Sequence, residues 1–142
     1  VKHPAKNKLS PSRMTGAELR VVRGGLGLSG PQLAAILDVD DRTVRRWELG
    51  ETPIPDGVRR DVAQLQAATD AEVDEVVTRM IDGGDGLHMT VYRSDDDFWA
   101  AEPQMRPWPA SWQRMVAYRV LQTIQEITLL YDSDFLSEPA DD

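Results

Sequence analysis

The segment from Ser29 to Gly50, S-G-P-Q-L-A-A-I-L-D-V-D-D-R-T-V-R-R-W-E-L-G, constrains the fold more than any other stretch. It encodes two short helices joined by a tight turn. Ser29 is placed to cap the first, over 29–37, and Gln32 stands where a reciprocal capping box needs it. Asp40 caps the second, over 41–49, and Gly50 supplies the stop, because glycine takes up the left-handed conformation at little cost. Asp38 fills the turn, where a short polar side chain tolerates a left-handed backbone. Leu33, Ala34, Leu37, Val39, Val44 and Trp47 are the expected buried positions, with Ala34 small where the helices cross. Val44 and Trp47 lie one turn apart on the inner face of the second helix. Its other face carries Asp41, Arg42, Arg45 and Arg46.

This segment resembles the helix-turn-helix of the phage-repressor family known as Cro/C1 or XRE. The likeness extends upstream, where L-R-V-V-R-G-G-L-G-L-S (Leu19 to Ser29) is similar to that family's first helix and following loop. Arg23 and Glu48 match a buried ion pair that ties the first helix to the end of the recognition helix. The family commonly has Gly where this chain has Asp38, so the turn is expected to hold with some strain. The resemblance implies that the second helix enters the DNA major groove and that Asp41, Arg42 and Arg46 face base edges. Arg42 and Arg46 can each bond guanine O6 and N7, worth about 1–3 kcal/mol of discrimination per base. Asp41 only accepts, so it could bond cytosine N4 or orient Arg45. Thr43 and Arg45 suit phosphates, as do Ser29 and Gln32 with the amides that open their helix. Glu51 stands where family members often have a basic backbone contact. Arg23, Glu48 and Trp47 are expected to support the recognition helix and read nothing. A solvated helical hairpin is the plainer explanation, but agreement of cap, small residue, turn, inner pair and terminal W-E-x-G favours DNA binding.

A chain of 142 residues makes one domain or two small ones. The absence of cysteine removes disulfides and thiolate metal sites and makes a cytoplasmic location the expectation. No apolar run approaches membrane-spanning length. A net charge of −8 argues against a polyanionic partner, but its distribution reverses that argument. Residues 1–60 carry 11 Lys and Arg against 7 Asp and Glu, whereas residues 61–142 carry 5 against 17. The paired helices lie in the basic half, and an acidic half need only face away from phosphates.

Four segments are expected: a disordered basic arm (1–13), a helix-turn-helix DNA-binding domain (14–68), a C-terminal α+β dimerisation domain (69–134) and an acidic tail (135–142). The arm holds every lysine of the chain, which suggests a start upstream of a natural Met14 or an expression leader. Such an arm could enter a minor groove, although an extension without a role is simpler. Thr15 and Glu18 form a capping box that opens the first helix, which Gly24-Gly25 ends. Leu26 and Leu28 return the chain over the core. A helix starting near Pro55–Asp56 puts Val58, Val62 and Leu65 on one face. It also carries Arg59 and Arg60, which are phosphate contacts or a solvated face. Thr69 with Glu72 spells a second capping box, so a break near Ala68 is preferred over one continuous helix to Asp82. Gly83-Gly84-Asp85-Gly86 is a stop.

Beyond it, L-H-M-T-V-Y-R alternates as a half-buried strand, with Leu87, Met89 and Val91 on one side and His88, Thr90 and Tyr92 on the other. Ser94 caps a short helix through Trp99, and Ser111 caps a longer one carrying Trp112, Met115, Val116, Val120 and Ile124. Ile127 to Tyr131 forms the second strand of a two-stranded sheet. The fold class is therefore α+β, mainly α, with an N-terminal lambda-repressor-like bundle. So small a sheet is a poor independent fold, which invites a second protomer to complete the core. The order of elements, with I-P-D (Ile54-Pro55-Asp56), a short F-W helix and P-A-S-W, resembles a phage and bacterial regulator family. Its members include the helix-turn-helix proteins encoded beside anti-CRISPR genes. That resemblance implies a homodimer, formed through the C-terminal part, that represses its own operon from an inverted repeat.

Convergent reactive groups are missing. His3 and His88 stand apart, so no nitrogen or sulfur metal site, no cofactor and no enzyme are expected. Asp95-Asp96-Asp97 is explained by the helix dipole rather than by a hard cation. Two other readings compete with a repressor. One is an antitoxin-like module whose C-terminal half, displaying Trp99, Trp108 and Trp112, binds a protein partner. The other is an interaction protein that keeps the fold without DNA.

Overall fold

A computed structural model describes residues 13–83 and 87–136. Among the described residues, seven α-helices and two strands run in the order α1 (Gly16–Gly25), α2 (Gly30–Leu37), α3 (Asp41–Glu48), α4 (Asp56–Gly83), β1 (His88–Val91), α5 (Asp95–Ala101), α6 (Ala110–Thr123), β2 (Thr128–Tyr131) and α7 (Asp132–Leu136). A 3-10 turn at Pro103–Met105 follows α5. The class is mainly α with a small sheet, as the sequence predicts. Arm residues 1–12, the glycine stop at 84–86 and tail residues 137–142 lie outside the described residues.

The chain divides into two compact units, one comprising Val1–Gly25 and Ser29–Ala67, the other Leu26–Leu28 and Ala68–Asp142. In the first, α1 opens on the predicted box: Glu18 N–H donates to Thr15 Oγ1 and Thr15 N–H to Glu18 Oε1, both at 3.1 Å. Leu19 is fully buried, and Leu33, Ala34, Val44, Trp47, Ile54 and Val62 complete the core. Leu37 and Val39 are only half-buried, because they flank a turn that faces solvent. Asp38 takes φ 57 and ψ 47, and the turn closes with Val39 N–H on Ala34 O (2.9 Å) and Asp38 N–H on Ala35 O (3.3 Å). Gly50, at φ +75, ends α3 the same way, with Glu51 N–H on Arg46 O at 3.0 Å.

Gly16 governs how closely α1 approaches the end of α3. A Cβ there would stand 2.4 Å from Trp47 O and 2.7 Å from Glu48 O, both backbone atoms that cannot rotate aside. Gly16→Ala is therefore expected to push the two helices apart and to lower stability by about 1–3 kcal/mol. Urea denaturation of the variant measures this, and Gly24→Ala, which meets nothing within 4 Å, is the control.

The second unit is built on α6, whose Trp112, Val116, Ala117 and Val120 are buried. Phe98 of α5 and Met89 and Val91 of β1 join the same core. The strands pair in parallel, His88 opposite Thr128 through Val91 opposite Tyr131. A parallel pair needs a crossover, which α5 and α6 provide. Tyr92, expected on the outer side of the strand, lies beyond its last residue and is buried against Phe98, ring centroids 5.3 Å apart. Leu26 and Leu28 are buried, and Gly27, at φ +71, comes so near α6 that a Cβ would meet Ser111 O at 2.7 Å.

Two further local expectations fail. First, α4 runs without a break through Ala68. Thr69 does not cap it; this fully buried residue accepts a hydrogen bond from Trp112 Nε1 at 3.0 Å. Second, Ser111 does not cap α6, which starts one residue earlier, after Pro109. The first amide, of Ala110, donates instead to Asp95 Oδ1 at 2.7 Å, so a carboxylate from α5 does the capping. Beyond β2 the chain adds α7 over residues 132–136, with Tyr131 N–H donating to Asp134 Oδ2.

Candidate nucleic-acid interface

The candidate surface is built in the first unit, on α2 and α3. α2 begins at Ser29, whose Oγ accepts from Gln32 N–H (3.2 Å) while Gln32 Oε1 accepts from Ser29 N–H (2.8 Å). Pro31 has no amide hydrogen, and Leu33 N–H donates to Ser29 O. Among the described residues, the Gly30 amide in the first turn of α2 is committed neither to the cap nor to the helix. Ser29 itself is exposed, and accepting in the cap does not consume its hydroxyl proton.

α3 is set by Asp40, whose Oδ1 accepts from Arg42 N–H at 2.9 Å. Its inner face is closed by Val44 and Trp47, 1% and 6% exposed. At its far end Arg23 grips Glu48 twice, Nε to Oε2 at 2.6 Å and Nη2 to Oε1 at 2.9 Å. Glu48 raises the Arg23 guanidinium above its ordinary pKa, the hydrogen bond outweighing the opposing desolvation. A bidentate pair of this kind fixes orientation as well as distance. Cap, inner apolar pair and ion pair therefore hold one short helix at both ends and from behind.

With the inner face closed, the outer face is determined by helical spacing. Arg42, Arg45, Arg46 and Leu49 are all exposed, and successive side chains turn by about 100°. Arg42 and Arg46 are one turn apart and share a direction. Asp41 departs from them. It is half-buried, and its Oδ1 lies 3.4 Å from where a Cβ on Gly30 would stand, against the positive end of α2. Among the described residues Asp41 forms no ion pair with Arg45. Both line a shallow groove of about 290 Å³, together with Arg20, Arg23 and Glu48. Thr43 is half-buried, and Arg59 and Arg60 are exposed near the start of α4.

Arg20 was missed by sequence reasoning. It is exposed on α1 and opens on the same groove as Arg45; its spacing of three residues from Arg23 is the signal that points to it. The tryptophans of the second unit are engaged within it. Trp112 is buried and stacks on Trp108 (4.3 Å), while Trp99 Nε1 donates to Trp108 O at 2.8 Å. Trp99 and Trp108 are half-buried and keep part of their surface exposed. No described helix is long and apolar enough to cross a membrane.

The chain is similar to a transcriptional repressor protein, KorC of Escherichia coli, at 47% identity over 55 residues. That stretch is 37% of this chain and 61% of KorC, so less than two thirds of that repressor's length is covered. The likeness to regulators encoded beside anti-CRISPR genes, which rested on the order of elements from Met14 onward, is met by a match over residues 14–127. By that match, the chain belongs to the Aca2/YdiL-like family.

Proposed function

We propose that this chain is a sequence-specific DNA-binding transcriptional regulator, a cytoplasmic homodimer that represses its own operon from an inverted repeat. The observation that carries the reading is the row of exposed arginines, Arg42, Arg45 and Arg46, on a helix immobilised at both ends and from behind. In this reading the helix-turn-helix is of the Cro/C1 (XRE) type. Arg42 and Arg46 read bases, with Asp41 beside them at the groove edge. Arg45, Arg59, Arg60, Thr43, Ser29 and Gln32 hold phosphates. Arg23, Glu48 and Trp47 set the angle of the rod. Family membership and the likeness to a protein named as a transcriptional repressor support the same reading. Dimerisation is assigned to the C-terminal segment (69–134), where Ile81 and Tyr118 stand exposed at 68% and 59%.

Selection of bound sites from random duplex DNA tests this directly. The expected product is a palindrome with half-sites about one helical turn apart. Three phosphate-facing arginines per protomer amount to six charges in a dimer. Affinity for the selected site should then fall about 10³-fold between 50 and 200 mM salt. A monomer by light scattering, or binding indifferent to salt, contradicts the proposal.

A further inference from the structure

A cavity of about 420 Å³ lies within the second unit, with walls from α4, β1, α5 and α6. That volume falls in the range that holds small organic molecules. The stacked rings of Tyr92 and Phe98, with Trp112, supply flat apolar wall. Two half-buried carboxylates open onto the same space, Glu72 from α4 and Glu102 from the end of α5. Burial is the largest cause holding the Glu72 carboxyl above its ordinary range; Glu75 and Glu102 raise it further, and Arg79 opposes them. The Tyr92 hydroxyl is pushed up to about 12, by burial first and then by Glu102 and Asp132, so it stays a neutral donor.

Gln113 also lines this wall. Its Nε2 donates to Thr90 O at 2.8 Å, and turning the amide over would set oxygen against oxygen. The orientation is therefore fixed, and the buried Oε1 has no donor among the described residues. Arg79 and His88, also in the lining, are both exposed. Two carboxylates thus share the space with aromatic walls, a combination that favours a cation. Among the described residues no three ligating side chains gather to hold a metal ion.

We propose that this cavity is a binding site for a small flat organic cation, its charged head received by Glu72 and Glu102 and its body lying against Tyr92, Phe98 and Trp112. The site is independent of the DNA-binding reading. Benzamidine, benzamide and benzoate share a shape and differ in charge, so calorimetric titration of the unmodified chain with each decides the matter. Benzamidine should bind, benzamide about tenfold more weakly, and benzoate not measurably. Glu72→Gln and Glu102→Gln should each weaken benzamidine about tenfold. In methyl NMR spectra of the unmodified chain, benzamidine should move Met89 and Val116, which line the cavity, and leave Val44 of α3 unmoved. Three results each overturn the proposal: no binding of benzamidine at millimolar concentration, benzoate binding as tightly, or shifts confined to residues outside the cavity.

Discussion

Trp112→Ala should lower the stability of the chain by about 3–5 kcal/mol, a large part of what a small domain possesses. The indole is 2% exposed, so its removal strips apolar area from water-free surroundings and leaves a cavity that neighbours fill only in part. It also removes a ring stacked 4.3 Å from Trp108 and the donor to Thr69. Trp112→Phe separates these losses, since it keeps much of the ring and deletes the N–H. That variant should cost about 1–3 kcal/mol, and Thr69→Val, which takes away the acceptor and buries an unpaired N–H, a similar amount. The two together should cost less than their sum, because each single change already breaks the same hydrogen bond, which can be lost only once. Urea denaturation of the four proteins measures the cycle. Strict additivity would mean that the 3.0 Å contact carries no energy of its own.

The same threonine marks the boundary of what the sequence discloses. Thr15 and Thr69 are each followed three residues later by glutamate, and the pattern alone cannot tell them apart. Thr15 caps, its hydroxyl accepting from the Glu18 amide three residues on. Thr69 meets Trp112 from 43 residues away, so the helix passes through it. Ser111 fails as a cap for a related reason: Asp95, 15 residues before Ala110, already holds that first amide of α6. The paired helices of the first unit were legible because their signals are short-range. Capping box, left-handed Asp38, closing Gly50 and the inward Val44 and Trp47 all depend on neighbours within a turn or two. Exposure of Arg42 and Arg46 follows from the same periodicity. The lean of Asp41 toward Gly30, the parallel pairing of the strands and the contact at Gly16 require elements distant in sequence to meet. No spacing rule within one segment encodes such meetings, and the acidic cavity belongs with them.

Replacing Arg42 and Arg46 together by alanine should weaken binding to the selected DNA site by about 2–6 kcal/mol, from about 1–3 for each bidentate contact with guanine. In concentration terms the loss lies between roughly 30-fold and 10⁴-fold. Binding to unrelated duplex should fall much less, since phosphate contacts supply most of that affinity and Arg45, Arg59 and Arg60 remain. Stability should change by no more than about 0.5 kcal/mol, because both side chains are exposed and the inner face is untouched. This separation gives the experiment its force. A variant that unfolded would lose both kinds of binding, and a variant that lost only charge would lose them in proportion. Anisotropy titrations against the selected site and a scrambled duplex, at one fixed salt concentration, read the two affinities side by side. Equal losses on the two duplexes would make the arginines an electrostatic patch and leave base recognition to other residues. Loss confined to the selected site, with the unfolding midpoint preserved, would assign the reading of sequence to a helix that the protein grips at Asp40, Trp47 and Glu48 and leaves open on its far side.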